Sequence, residues 1–205
     1  MIHQLRSARF KRLVQTVAYA PHFISTVVMV GMLYLFLSER NGLINRLLRV
    51  VGLDSVFFLG DPAWFKSVYV WSGVWQNAGW ATIIYLAALA GVSRELHEAA
   101  IADGASRLRR IWHIDLPGIR PTIVIMLILD VGHFMNIGFE KVFLMQNSLN
   151  LQSSEIISTY VYEVGLLSTQ YSYSAAIGLF NNVINFILLL AVNQLARRMR
   201  QTALW

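Results

Sequence analysis

Long apolar runs alternate with short polar segments along this chain. Four of these runs, residues 14–37, 67–92, 122–138 and 174–195, have about the length of a membrane-crossing helix. A helix needs about 20 apolar residues to cross a hydrocarbon layer roughly 30 Å thick. The pattern therefore predicts an all-α membrane protein, with four transmembrane helices in a single domain over residues 1–205.

The first run contains a helix breaker. Pro21 lacks a backbone N–H and clashes with the preceding turn, so it predicts a kink about one third of the way along that helix.

Composition and the placement of charge support a membrane location. Hydrophobic residues make up 56% of the chain and charged residues only 14%. Of the 17 Lys and Arg residues, four lie in residues 1–14, five in 92–121 and three in 196–205. With four spans these segments share one side, and the positive-inside rule makes that side cytoplasmic, with both chain ends inside. Topology accounts for the net charge of +6, so no nucleic-acid partner is expected.

The polar segment 94–119 reads as two short helices joined by a tight turn. Residues 94–102 are rich in helix formers, and Gly104 can adopt the left-handed conformation that closes a helix. Ser106 can cap the second helix, and Pro117 is expected to set its end.

The same segment carries a spaced motif. Its fixed positions are Glu98, Ala99, Ala100, Gly104, Ile114, Leu116 and Pro117. They resemble the EAA motif of ABC importer permeases, which is EAA, three residues, G, nine residues, I, one residue, LP. What the resemblance implies is a cytoplasmic coupling helix pair that sits in a cleft of a separate ATPase. Glu98 and Asp103 would offer acceptors to basic groups of that partner.

The resemblance extends over nearly all 205 residues, to the carbohydrate-type permeases of type I ABC importers, oligosaccharide branch. The stretches that carry it include QTVAYAPHFIS, GFEKVFLM and SAAIGLFNNVINFILLLAVNQLARR. It implies a type I importer transmembrane domain in a bacterial plasma (inner) membrane. It also implies two further helices before the point of Arg6, so the chain is expected to be the C-terminal part of a permease.

The resemblance further implies a set of partners. These are ABC ATPase subunits, a second permease subunit, an extracytoplasmic solute-binding protein, a sugar or oligosaccharide substrate and membrane lipid. The chain contains no GxxxxGK[ST], HExxH or GxSxG motif and no cysteine. We therefore expect no catalytic residue, cofactor or metal site here, and ATP hydrolysis in a partner subunit.

An acidic residue lies within the third run. Asp130 is predicted near mid-membrane, where a carboxylate is costly, and His133, three residues on, is its expected partner. Asn136 extends the same face. These groups line a passage for a hydroxyl-rich solute, or they lock helix packing. A proton relay through Asp130 and His133 is a third hypothesis.

Asparagines recur at helical spacing in the last run, at Asn181, Asn182 and Asn185. Such amides can bind sugar hydroxyls, since each both donates and accepts, or can join neighbouring helices. Two alternatives to the importer stay open: a proton-coupled secondary carrier, and a non-transporting membrane scaffold whose loop binds a partner.

Overall fold

The computed structural model describes residues 8–135 and 137–198 of the chain. Within these ranges every regular element is helical and there is no strand, which confirms the predicted all-α fold. In chain order the helices are α1 Ala8–Tyr19, α2 Thr26–Leu37, α3 Leu43–Val50, α4 Pro62–Ala90, α5 Arg94–Ala102, α6 Arg107–Arg110, α7 Leu116–Gly118, α8 Arg120–Gly132, α9 Phe139–Met145, α10 Leu151–Ser154, α11 Ile157–Tyr162 and α12 Tyr171–Arg198.

The first predicted span is broken rather than continuous. A 3₁₀ turn, Ala20–Phe23, contains Pro21 and follows α1, and Ser25 then caps α2 by accepting a hydrogen bond from Val28. The two helical pieces meet at an angle of 99°. The kink expected from Pro21 is therefore present, and it is a sharp bend.

The other predicted spans differ in their bounds. Among the described helices, α12 alone is long and apolar enough to cross a bilayer, and the bent α1–α2 pair adds a second span if it is counted as one. The 29-residue α4 begins before residue 67, whereas α8 ends at Gly132 instead of 138. Past Gly132 the N–H groups of His133 and Phe134 bond to carbonyls three residues back, and the Met135 N–H bonds to the Asn185 side chain instead of a helical carbonyl.

Helix α12 exposes apolar side chains and buries polar ones, which is the reverse of a helix in a soluble protein. Leu179 and Phe180 are 67% and 66% exposed, whereas Asn181, Asn185 and Asn193 are buried. Soluble proteins bury apolar side chains and expose amides. An apolar outer surface with a polar buried stripe is suited to a helix that faces lipid on one side and other helices on the other.

The chain divides into two compact units. One contains residues 1–15, 80–135 and 181–205, and the other residues 16–79 and 136–180. The second unit has a buried apolar core formed by Val30, Leu59, Phe65, Val142 and Met145.

Buried amides bind backbone groups that helices leave unpaired in this second unit. Asn45 is fully buried, and its side chain bonds to the carbonyls of Leu37, Ser38 and Val56 and to the Val56 N–H. Similarly, Asn150 donates to the carbonyl of Leu59 at 2.8 Å. These contacts hold the loops against the helix ends.

The close approach of α1 and α4 predicts a large effect from a single methyl group. A Cβ on Gly79 would collide with the backbone carbonyl oxygen of Ala18, which cannot rotate away as a side chain can. We expect Gly79→Ala to destabilise the protein by about 1–3 kcal/mol, as overpacking does. Thermal unfolding in detergent micelles measures this as a lower Tm. Gly31→Ala is the matched control, since a Cβ there meets nothing within 4 Å. Equal Tm values for both variants would contradict the tight contact.

Candidate functional site

The first half of segment 94–119 is helix α5, which is capped at both ends. Ser93 accepts a hydrogen bond from the Glu95 N–H at 3.2 Å. At the other end Gly104 has φ +72°, and the Ala105 N–H reaches back to the Ala100 carbonyl at 2.8 Å. This is the glycine-closed helix end that the sequence predicts, and a left-handed φ is the reason for glycine at this position.

The second half also begins as predicted, because the Ser106 hydroxyl accepts from the Arg109 N–H at 3.4 Å. Its end is different. After α6 the chain continues as a π-helical turn, Ile111–Asp115, and then as α7 through Pro117 to Gly118. The helix ends at Gly118, so the end expected at Pro117 is displaced by one residue. Because the π-helical turn directly precedes α7, Pro117 lies where the regular i to i−4 hydrogen-bond pattern is already interrupted.

A contact between a histidine and an aspartate joins the two halves of the segment. His97 Nε2 of α5 lies 3.0 Å from Asp115 Oδ1 at the end of the π-helical turn, and both side chains are largely shielded, at 24% and 16% exposed. Together with the Gly104 turn, this pair fixes the angle between α5 and the second half. No spacing rule in the sequence indicated the contact.

The outer surface of the segment is both polar and apolar. Among the motif residues, Glu98, Ala99, Asp103, Gly104, Leu116 and Pro117 are exposed, while Ala100 and Ile114 are half-buried. Large apolar side chains lie beside them: Leu108 and Trp112 are 72% and 68% exposed. A surface of this kind is typical of a protein interaction site.

Asp130 and His133 do not form the expected pair. Both are exposed, and the His133 ring bonds to the Leu129 carbonyl at 3.0 Å. Neither side chain forms an ion pair with another side chain that the structure describes. The pairing fails because α8 ends at Gly132, so His133 does not continue its face. Asn136, the next predicted path residue, lies outside the described residues.

The asparagines of α12 have different surroundings. Asn185 is 8% exposed and accepts the Met135 N–H at 3.2 Å, which is a packing role. Asn181 is 9% exposed, and its Oδ1 has no hydrogen-bond partner among the described residues. Asn182 is exposed. The predicted amide ladder is therefore a pair of buried amides, only one of which has its oxygen satisfied.

A polar cavity of about 430 Å³ lies within the second unit, at the bend between α1 and α2. Its lining comes from that bend, from α4 and from the region of α9, and includes His22, Thr26, Tyr69, Gly73, Gln76, Asn77, Gly138 and Lys141. Gln76 donates to the Ile24 carbonyl at 2.8 Å, and His22 Nδ1 lies 3.2 Å from Asn77 Oδ1. The broken helix thus brings hydrogen-bonding groups together around a space of ligand size.

Lys141 is the one lysine or arginine in this lining. It is only 9% exposed, and its Nζ donates to the Tyr69 carbonyl at 2.9 Å and lies 4.7 Å from the centre of the Tyr69 ring. Lys141 follows the third predicted span, and burial lowers its pKa to about 8, which still leaves it mostly protonated at pH 7. Sequence reasoning missed it, since the single lysine of FEKVFLM carries no spacing pattern.

Comparison with known proteins identifies the family of the chain. The family described as binding-protein-dependent transport system inner membrane component matches residues 2–201. LplB of Bacillus subtilis (strain 168) is 44% identical over 205 residues, which are 100% of this chain and 64% of LplB. The polygalacturonan/rhamnogalacturonan transport system permease protein YteP of the same organism is 42% identical with the same coverage.

A solved structure has the same fold. A chain in the crystal structure of a bacterial alginate ABC transporter, in complex with an alginate pentasaccharide-bound periplasmic protein, matches with a TM-score of 0.97. It is 39% identical, and the match covers 100% of this chain and 71% of that chain. The chain spans about two thirds of the length of these relatives. It belongs to the family of binding-protein-dependent transport system inner membrane components.

Proposed function

We propose that the chain is part of the membrane-spanning permease subunit of an ATP-driven ABC importer for a sugar or oligosaccharide. The observation that carries this proposal is the exposed surface of segment 94–119, in which the EAA-like residues lie beside exposed apolar side chains. YteP and the alginate transporter, named for carbohydrates, support the substrate class.

The mechanism involves no chemistry in this chain. ATP is hydrolysed by separate ABC ATPase subunits, and their closure moves segment 94–119, which is seated in a cleft of the ATPase. Since Gly104 and the His97–Asp115 pair hold the segment's two halves together, it moves as a rigid lever. The motion passes directly into α4 on one side and α8 on the other, because both helices adjoin the segment in the chain.

The remaining components follow from this assignment. A second permease subunit completes the pathway, and an extracytoplasmic solute-binding protein delivers the sugar. Segment 94–119 and both chain ends are cytoplasmic, and the runs 14–37, 67–92, 122–138 and 174–195 cross the inner membrane. The distribution of Lys and Arg supports this orientation.

The polar residues predicted in the third and last apolar runs belong to the proposed substrate path. Asn181 has the strongest structural support, since its buried oxygen has no partner among the described residues and is available to a sugar hydroxyl. Asp130, His133, Asn136 and Asn182 complete the proposed path, whereas the Asn185 oxygen already accepts the Met135 N–H. A proton-coupled carrier gains no support, because Asp130 and His133 do not form the pair that such a relay needs.

The turn at Gly104 allows a test of the proposal that segment 94–119 moves as a rigid unit. Valine is strained at φ +72°, whereas asparagine tolerates the left-handed region, and neither meets a neighbour, since a Cβ at Gly104 has nothing within 4 Å. We expect Gly104→Val to lower ATP-dependent uptake by about tenfold, in line with a local cost of 1–2 kcal/mol. Gly104→Asn should keep most of the ATP-dependent uptake. Uptake in proteoliposomes is the measurement, with the amount of permease in the membrane as control. Full uptake by the valine variant would refute the proposal that segment 94–119 moves as a rigid unit.

The charge of Glu98 yields a test of docking. Its side chain is exposed and is expected to accept hydrogen bonds from basic groups of the ATPase. Glu98→Lys should reduce the ATPase that co-purifies with the tagged permease by at least tenfold, since it replaces attraction by repulsion. Asp54→Lys makes the same charge change at an exposed residue between the first and second predicted spans and should have no effect. Undiminished co-purification with Glu98→Lys would remove Glu98 from the interface.

A further inference from the structure

The cavity in the second unit has an unusual charge. Lys141 is 91% buried, yet no carboxylate lies within 4.0 Å of its Nζ among the described residues. Its neighbour Glu140 is exposed and does not line the cavity. A buried ammonium without a counter-ion is costly, and such groups normally pair with an anion or mark a site for one.

The ammonium still has hydrogen-bonding capacity. Of its three N–H donors, one bonds to the Tyr69 carbonyl at 2.9 Å. The ammonium nitrogen also lies 4.7 Å from the centre of the Tyr69 ring, and this cation–π contact helps to hold the charge in place. Two donors remain, and Lys141 lines the open cavity.

Gly73 gives the ammonium its space. A Cβ at residue 73 would lie 3.2 Å from Lys141 Nζ, closer than an ordinary van der Waals contact. Any other residue at this position would therefore crowd the charged group.

The rest of the lining suits a polyhydroxylated ligand. The amide of Asn77 bonds to His22 and to the Gly73 carbonyl, and each of its two polar atoms can form one more hydrogen bond. Ser25, Thr26 and Tyr69 also line the cavity. One cation among amides and hydroxyls matches a sugar unit that carries one carboxylate.

We propose that Lys141 is a specificity-determining residue that binds the carboxylate of an acidic sugar unit in this cavity, while Asn77 binds its hydroxyls. This rests on the proposed function, since it assumes that the chain transports saccharides. It narrows the substrate class from sugars in general to saccharides with uronate groups.

The experiment compares two probes with the same sugar rings, trigalacturonate and its fully methyl-esterified form, which lacks the carboxylate charges. Both are tested in proteoliposomes containing the assembled transporter and its solute-binding protein. Lys141→Met should lower the initial uptake rate of trigalacturonate by about tenfold or more, the size of one lost charge-assisted bond. Uptake of the methyl ester should change less than twofold. Lys141→Arg should keep most of the trigalacturonate uptake, because it keeps the charge.

Two further variants separate charge recognition from folding. Gly73→Ala leaves Lys141 in place but crowds its ammonium, and should lower trigalacturonate uptake selectively by several fold. Lys66→Met removes an exposed lysine of α4 outside the cavity and should change neither rate. If Lys141→Met fails to accumulate in the membrane, the Gly73→Ala and Lys141→Arg variants decide the question.

The outcomes distinguish this inference from the function on which it rests. If Lys141→Met and Gly73→Ala lower the uptake of both probes equally, Lys141 is a packing residue. That result would overturn the inference, while the importer assignment stands. Wild-type uptake of the methyl ester but not of trigalacturonate would also overturn it. Absence of any ATP-dependent saccharide uptake by the wild type would overturn the proposed function itself.

Discussion

Backbone hydrogen-bonding groups that have no helical partner impose the main constraint on this fold. Lipid offers no donor or acceptor, so each group that is freed where a helix breaks must be paired within the protein. The chain meets this requirement with side chains: Gln76 bonds to the Ile24 carbonyl, Asn185 to the Met135 N–H, and Asn45 to the carbonyls at the end of α2. Breaks in the helices are therefore stable, and the breaks create the polar interior.

The same constraint explains where a ligand can bind. The bend between α1 and α2 leaves a space beside α4, and the groups that pair the backbone there also line the cavity. Lys141 adds a charge to this lining, and one of its donors bonds to the Tyr69 carbonyl within α4. Segment 94–119 lies between α4 and α8 in the chain, and α4 also carries Tyr69, Gly73 and Asn77.

The sequence predicted what depends on local chemistry and missed what depends on tertiary contacts. The Gly104 turn and the Ser106 cap follow from residue type and position, and both are present. The pairing of Asp130 with His133 assumed a helix that continues past Gly132, but the distant Asn185 side chain takes the N–H of Met135. For the same reason the sequence could not distinguish an asparagine that lines the proposed substrate path from one that joins two helices, since the two differ only in their hydrogen-bond partners.

The central claim is that segment 94–119 is a cytoplasmic lever that an ATPase covers and moves. The 205 residues contain no cysteine, so a Leu108→Cys variant, at a side chain that is 72% exposed, offers a single site for a membrane-impermeant maleimide. The account predicts labelling in inverted vesicles stripped of ATPase, protection when the ATPase subunits are added back, and no labelling in intact cells. Labelling of Leu108→Cys from outside intact cells would contradict it.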